Sequence, residues 1–554
     1  LHSRAMRVPV SPLLAVIEGS ARNAAVGYEL RAADVNGDGL ADVAIGTLAS
    51  TEAGIFFGGK LRNEVKFGAQ PGVSIRESQG HGLKLMGSAD INGDGLHDLI
   101  WADSDGTTEF AGTDRVLVLF GRRQWSPRLN LPEGADLTLS FTVSYNASPH
   151  RTATSRSTDL NGDGIDDLIL AAADFCPPDR ASAGAIFIFW GRRQWPAKLD
   201  IPAQANVTIW GAVKGETLAE AAVGDLNGDG RNDLALGASD SSLWGLRQSR
   251  GRVYIFHGRA RWPRVVDAAK DYDVRIEGAD PEDRFSQPEI GDLNGDGIAD
   301  VTVGAFGKDS VYVFFGRQLW PRQLTQPQAD WKVTRPERTR GLGINVAVGN
   351  LNGDAVDDLV VCDVTREELL AFYGGPARRG VTFTKSTEFV LRPPAPTKNL
   401  CSRRMAVADL DGNDSPEILA GVPDMTAGGE PNAGKVYLFS PFQSVQIDIR
   451  PGGYPNLVWP GSFRTLVVAV APQEYFNPSA IDPATVRLAG VAPFQSQFCP
   501  SGPPGSLCFY FESKDMKLKK SDRKAILVAR TRDGVPLFGA DSVLVAEEKD
   551  SKPK

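Results

Sequence analysis

Histidine, methionine and cysteine are scarce in this chain, five of each among 554 residues. The histidines (His2, His81, His97, His150 and His257) share no common setting, and no G-x-S-x-G, H-E-x-x-H or paired Cys/His pattern occurs. Hydrolysis or elimination needs an acid, a base and often a metal-bound water in one pocket, and the usual residues for that are missing. Five cysteines are too few for a disulfide-built scaffold. Cys499 and Cys508 lie close enough in one loop-rich stretch for a local bridge, and Cys362 with Cys401 can pair across neighbouring repeats, which leaves Cys176 over. No apolar run approaches the roughly 20 residues that span a bilayer. No concentrated basic stripe argues for nucleic acid. The opening LHSRAMRVPV is neither a start methionine nor a signal peptide; it reads as a processed or trimmed end and leaves the export route open.

Glycine, in contrast, is abundant at 59 residues, which points to many turns rather than long helices. The chain is too long for one compact core of usual size, so several units or a repeat are expected. The stretch DLNGDGIDDLIL from Asp159 supplies the repeat. Close copies are DVNGDGLADVAI from Asp34, DINGDGLHDLIW from Asp90, DLNGDGRNDLAL from Asp225 and DLNGDGIADVTV from Asp292. NLNGDAVDDLVV from Asn350 and DLDGNDSPEILA from Asp409 are weaker copies. Twenty of the 68 acidic residues stand at positions one, three, five and nine of these loops; the other 48 face 60 lysines and arginines, a balance of +12 inside a net charge of −8. Net acidity is therefore concentrated in the loops, and the remainder is mildly basic.

The loops recur at intervals of 56 to 69 residues, enough for one four-stranded sheet per unit. Each is followed by an apolar strand and then by another that ends in an aromatic and a glycine, as in RVLVLFG, AIFIFWG and SVYVFFG; the last copy closes as KVYLFSP. These runs favour β-structure, and their near-continuous apolarity predicts burial on both faces. One such sheet cannot bury both faces alone, whereas seven arranged radially can. The expectation is an all-β chain: a seven-bladed β-propeller over 1–441, a small β-sandwich over 442–548 built from runs such as VQIDIRPG, TLVVAVAP and KAILVART, and a disordered tail over 549–554. Four middle units add a tag ending at Trp125, Trp195, Trp262 and Trp320, read as a wedge between sheets with arginine stacked over it.

The loop chemistry is that of oxygen ligands at alternating positions of a tight turn. Positions one, three, five and nine offer side chains, and position seven offers its carbonyl. In the first loop these are Asp34, Asn36, Asp38, Leu40 and Asp42; in the second Asp90, Asn92, Asp94, Leu96 and Asp98. The third has Asp159, Asn161, Asp163, Ile165 and Asp167; the fourth Asp225, Asn227, Asp229, Arg231 and Asp233. The fifth has Asp292, Asn294, Asp296, Ile298 and Asp300, the sixth Asn350, Asn352, Asp354, Val356 and Asp358, and the seventh Asp409, Asp411, Asn413, Ser415 and Glu417. Hard oxygen donors without nitrogen or sulfur select a hard cation, and this many ligands in a flexible loop suit Ca²⁺. One such loop alone reads equally as a plain Asx turn; the sevenfold repeat with an acid always at position nine favours calcium. An EF-hand needs glutamate at position twelve, where this chain has Ile45, Trp101, Leu170, Leu236, Val303, Val361 and Ala420. With seven sites filled the net charge would move from −8 to +6. The sixth loop, with Asn350 and Ala355, and the seventh, with Asn413 and Asp414, are expected to bind more weakly, the sixth most so.

The D-x-N-x-D-G-x-x-D loop followed by an apolar strand and an aromatic-glycine ending resembles the FG-GAP repeat of integrin α-subunit propellers and of related bacterial surface proteins. The likeness spans roughly residues 10 to 440. It implies a seven-bladed propeller, calcium on one rim and a role in adhesion or ligand recognition. The Phe-Gly half of the motif is degraded, at Gly27-Tyr28 and Phe285-Ser286, while Gly421-Val422-Pro423 keeps the other half. Integrin α-chains carry calcium loops on only a few blades, so loops on all seven favour a bacterial-type relative. The sequence-based function is a calcium-stabilised, non-catalytic extracellular binding or adhesion protein that recognises a protein or glycan, the basic remainder favouring an anionic partner. The alternative is a polysaccharide-active lyase or hydrolase, since some enzymes resemble propellers with such loops. No nucleic acid partner and no membrane insertion are expected, and no ligand-binding residue is singled out.

Overall fold

A computed structural model describes residues 13–546, apart from 48–51, 60, 62, 68–70, 79–81, 105–112, 142–150, 153–157, 174, 241–249, 281–282, 286, 338, 340, 353, 355, 398, 402–404, 413–414, 428, 474–475, 501–502, 521 and 533. Strands dominate, joined by short turns and a few single-turn 3₁₀ segments. Up to Phe439 the strands form seven antiparallel sheets, one for each loop. The first contains Glu29–Ala33, Asp42–Gly46, Glu52–Phe56 and Val73–Glu77 in spatial order. Apolar side chains fill both faces because each sheet is covered on both sides. Phe56, Ile45 and Leu30 pack with Leu419 and Val436 of the seventh sheet, while Ala44, Ile55 and Val73 pack with Leu85 and Trp101 of the second. Further shared cores join the second sheet to the third and so on round to the seventh. The sheets thus form a closed ring, a β-propeller.

Closure uses the N-terminal strand. The seventh sheet takes Met405–Ala408, Glu417–Val422 and Lys435–Phe439 from one end of the chain and Leu13–Glu18 from the other. Ile17 lies opposite Val436 and is fully buried. Most sheets also gain a fifth, parallel strand from the next sheet's connection between its third and fourth strands. Arg128–Leu131, for instance, belongs to the second unit but pairs with Val73–Glu77 of the first. Of these seven, only the sixth has four strands among the described residues. Its donor would be the same connection in the seventh sheet, whose third strand instead leads on to residues 443–545 and whose fourth is Leu13–Glu18.

The innermost strands escaped the sequence reading. Extended runs such as GVSIRES precede each loop in the chain, but they are the fourth strands of the preceding sheet. Between them and the loop stand inner strands such as ETLAEAAVG and MAVA. Their short side chains suit the crowded axis and hide the usual β signal of branched residues. Crowding also explains the glycines of the second strand. A Cβ on Gly421 would lie 2.0 Å from the Gly27 carbonyl oxygen, and one on Gly304 2.1 Å from that of Gly343.

Residues 443–545 form two further four-stranded sheets, one with Lys524–Arg530 and Pro536–Ser542 at its centre and one with Thr465–Val470 and Leu507–Glu512. They share one core, including Ile449, Val468, Phe509, Leu527 and Leu537. Cys362 is bonded to Cys401 and Cys499 to Cys508, while the Cys176 sulfur accepts from Ser182 N–H at 3.2 Å. No helix among the described residues is long and apolar enough to cross a membrane. The expected tail over 549–554 lies outside the described residues.

If closure by the N-terminal strand holds the ring, Ile17→Ala should cost about 2–5 kcal/mol, the usual loss for truncating a buried aliphatic. Leu319→Ala, at a side chain 88% exposed, should change stability by less than about 0.5 kcal/mol. Urea denaturation of the two variants compares them directly.

Candidate metal centres

Each loop is the turn of a hairpin between the first two strands of its sheet. Ala33 pairs with Asp42 across the first, Ala89 with Asp98 across the second and Gly349 with Asp358 across the sixth. Within the loops the side-chain oxygens are arranged by successive Asx turns. The position-three oxygens of Asn36, Asn92, Asn161, Asn227, Asn294 and Asn352 accept from the backbone N–H of position five at 2.8–3.0 Å. The position-five oxygens of Asp38, Asp94, Asp163, Asp229, Asp296 and Asp354 accept from the N–H of position seven at 2.9–3.0 Å. Those N–H groups belong to Leu40, Leu96, Ile165, Arg231, Ile298 and Val356. Asp34, Asp159, Asp225 and Asp292 at position one accept from both glycines, four and six, at 2.6–2.9 Å, and Asp90 accepts from Gly95 at 2.8 Å. Glycine six is fixed by its backbone angle, not by space. Gly39, Gly95, Gly164, Gly230 and Gly297 have φ between +82° and +87°, yet a Cβ there would meet nothing within 4 Å.

Position nine is the anchor. Asp42, Asp98, Asp167, Asp233, Asp300, Asp358 and Glu417 are at most 1% exposed. In the first six, one oxygen accepts from the N–H of position two and the other from the glycine that follows the aromatic at the end of the third strand. These bonds run from 2.6 to 3.1 Å: Val35 and Gly58 to Asp42, Ile91 and Gly121 to Asp98, Leu160 and Gly191 to Asp167, Leu226 and Gly258 to Asp233, Leu293 and Gly316 to Asp300, Leu351 and Gly374 to Asp358. The glycine is obligatory because a Cβ on Gly191 or Gly374 would lie 2.3 or 2.1 Å from the position-eight carbonyl oxygen. In the seventh loop Glu417 accepts from Leu410 N–H at 2.9 Å, and Ser440 replaces the glycine.

Neither the role of that glycine nor those of positions two and eight were read from the sequence. Position two is a buried apolar plug throughout, Val35 to Leu410. Position eight joins loop to loop. Its N–H donates to the position-one carbonyl of the preceding loop, from His97 to Asp34, Asp166 to Asp90, Ala299 to Asp225, Asp357 to Asp292 and Ala41 to Asp409, at 2.8–3.2 Å. Between the third and fourth loops the Asn232 side chain does this, reaching the Asp159 carbonyl at 2.9 Å. At the remaining junction position eight is Pro416, which has no N–H to donate. All seven loops therefore lie at one end of the ring.

The donor set fits a hard divalent cation. The Asx bonds align the loop oxygens on one side of the turn, and each carboxylate oxygen accepting one N–H keeps a further lone pair. In the seventh loop, oxygens of Asp409, Asp411 and Glu417 lie within 4.8 Å of one another. Asp411 stands where the other loops have asparagine; Ser415 is buried and Asn413 lies outside the described residues. Protonation shows what such crowding costs. Burial, with repulsion from the other loop carboxylates, pushes Asp42 up to about 6, Asp167 to about 7, and Asp98, Asp300 and Glu417 to about 8. Burial also holds Asp292, Asp354 and, most strongly, Asp358 above the usual carboxylate range.

Against this geometry, comparison with known proteins is direct. The FG-GAP repeat model matches residues 26–56 and 219–256, the segments that hold the first and fourth loops. A stretch of 176 residues is 30% identical to integrin alpha-PS2 of Drosophila melanogaster, covering 29% of this chain and 12% of that protein. Integrin alpha-5 of Xenopus laevis is 31% identical over 175 residues, 29% of this chain and 15% of the relative. The chain is a β-propeller that contains FG-GAP repeats. Phosphatidylinositol-glycan-specific phospholipase D of Rattus norvegicus is also similar, 29% identical over 198 residues, 33% of this chain and 22% of that enzyme. The FG-GAP chain therefore aligns with less than a quarter of the length of each of these relatives.

The arginine–tryptophan tags belong to the same frame. Arg122, Arg192, Arg259 and Arg317 lie 4.6–5.1 Å over Trp125, Trp195, Trp262 and Trp320. The Trp125, Trp195 and Trp320 indoles donate to the position-two carbonyls of Val35, Ile91 and Leu226, one loop back. The tag is thus a clamp between neighbouring loops.

The pH dependence of the chelated protein follows from the raised carboxyls. A folded-state value above the unfolded one favours the protonated fold, so that stability is fully present below about pH 4 and is lost as pH rises through 6 to 8. The melting temperature in chelator should therefore be lower at pH 8 than at pH 5. With millimolar calcium the order should reverse, because the metal needs the ionised form.

Proposed function

We propose that the protein is a calcium-stabilised, non-catalytic binding propeller that works outside the cytoplasm, in adhesion or in capture of a protein or glycan. The observation that carries this reading is the uniform construction of the loops. Five contain the same Asp-Asn-Asp ladder over a buried position-nine carboxylate, and the seventh gathers three carboxylates. Asp34, Asn36, Asp38 and Asp42, their counterparts in the second to fifth loops, and Asp409, Asp411, Asn413 and Glu417 in the seventh would hold the ion. The carbonyls of position seven, from Leu40 to Ser415, complete the set. Calcium there neutralises acids that burial otherwise drives toward protonation, so binding is linked to folding. Calcium at extracellular millimolar levels fills even weak sites of this class. Two disulfides support an oxidising setting. The integrin relatives support recognition of another molecule by the ring, and the chain reads as two units that meet near residue 441.

Two measurements test this. Titration of calcium into chelated protein should show several tight sites and raise the melting temperature by many degrees, since ligand at 100 times its Kd adds about 2.7 kcal/mol per site. A glycan and surface-protein array probed with and without chelator should show partner binding that falls when calcium is removed. An unsaturated, ultraviolet-absorbing product from acidic polysaccharides would instead establish a lyase and end the non-catalytic reading.

A further inference from the structure

The sixth loop differs from the others in what covers it. Asp38, Asp94, Asp163, Asp229 and Asp296 at position five are exposed, but Asp354 is half-buried and Val356 beyond it is buried. The cover comes from the last hundred residues of the chain. A Cβ on Gly490 would lie 3.8 Å from the Cβ of Asp354. The Lys517 ammonium lies 3.5 Å from the Cβ position of Gly295, at the neighbouring fifth loop; burial raises the Asp354 carboxyl, and the Lys517 charge opposes that rise.

Beneath the loop the contact is apolar. Phe538 belongs to the core shared by the sixth and seventh sheets, with Ile526, Val528 and Ala540 packed against it. Phe442 joins the two sides, its ring centroid 5.8 Å from those of Phe389 and Phe538. Phe389 lies in the outermost strand of the sixth sheet, the sheet without a fifth strand. The local sequence also departs from a metal site here. Asn350 removes the carboxylate of position one, and Ala355 replaces the glycine whose counterparts need φ near +85°.

We propose that the sixth loop is not a calcium site but a dock for the C-terminal unit, in which Asp354 faces the Lys517 ammonium in place of a metal ion. The proposal rests on the calcium reading of the other loops. It limits the chain to six ions and makes the C-terminal unit a fixed part of the ring's loop end.

The test uses the full chain, chelated and then titrated with calcium alone under native mass spectrometry. Asp163→Asn should lose one calcium equivalent, and Asp354→Asn none. Hydrogen exchange in calcium reads the dock. Asp354→Lys should speed exchange in Lys524–Arg530 and Pro536–Ser542 several-fold, and Lys517→Glu in the same chain should restore slow exchange. Loss of an equivalent in Asp354→Asn overturns the dock, as does a charge swap without rescue. Lys517 is exposed, so Lys517→Glu alone will fold; unchanged exchange in that variant also overturns it. Full stoichiometry in Asp163→Asn would sink the calcium reading by a separate route.

Discussion

The structure depends on a buried carboxylate that accepts two backbone N–H groups from different parts of one sheet. In the third unit Asp167 binds Leu160 N–H in the turn and Gly191 N–H at the far end of the third strand, both at 2.8 Å. A single side chain thus fixes the loop relative to the strand that returns beside it. Hydrogen bonds to a charged acceptor are worth about 1.5–3 kcal/mol each, but burial of the charge opposes them. The balance explains why such an anchor is joined to a cluster of further acids. A divalent ion beside the carboxylate, as proposed above, would offset the burial, and the same acids that repel one another without it would become its ligands. Strand sequence follows from the anchor as well. The glycine after each aromatic leaves room for the position-eight carbonyl while its N–H reaches the acid.

Position eight carries the constraint from one sheet to the next. Its N–H binds the preceding loop's first carbonyl, and the position-two carbonyl of that loop accepts Arg122, Arg192 or Arg317 N–H from the following unit. Where position eight is aspartate, the link is doubled: Asp166 and Asp357 also accept from Asp90 and Asp292 N–H at 3.1 Å. The loops are therefore not independent turns on separate sheets. They form a chain of backbone contacts along one end of the ring.

Much of this was legible in the sequence, for identifiable reasons. The loops and the strands after them followed from local pattern, since Asp, Asn and Gly at fixed offsets have few conformations open to them; the two disulfides were open possibilities only. Cys362 and Cys401 do pair across neighbouring units. The inner strands were missed because alanine and glycine near the axis carry no β signature. The fifth strands were missed because a segment such as Arg128–Leu131 completes a sheet that began more than fifty residues earlier. The cover over the sixth loop was beyond reach too: nothing near Asp354 in the chain announces Gly490 or Lys517. What one unit does to itself is written locally, and what it does to a distant unit is written only in folded space.

The distribution of fasteners follows the same logic. Arginine–tryptophan clamps occur on the second to fifth sheets, where the chain runs on without interruption. They stop where the ring must be closed from chain ends. There other devices take over. Pro416 cannot donate the loop-to-loop bond between the sixth and seventh units, and that junction holds the Cys362–Cys401 disulfide. Cys401 is tied through its own N–H to Gly421 of the seventh sheet, so the bridge spans the junction. The seventh sheet lacks a fourth strand of its own and receives Leu13–Glu18; the sixth lacks a fifth and lies against Phe538. Repetition alone holds the middle of the ring because each unit finds an identical neighbour. At the seam no such neighbour exists, and a covalent bond, a borrowed strand and the C-terminal unit act together in its place.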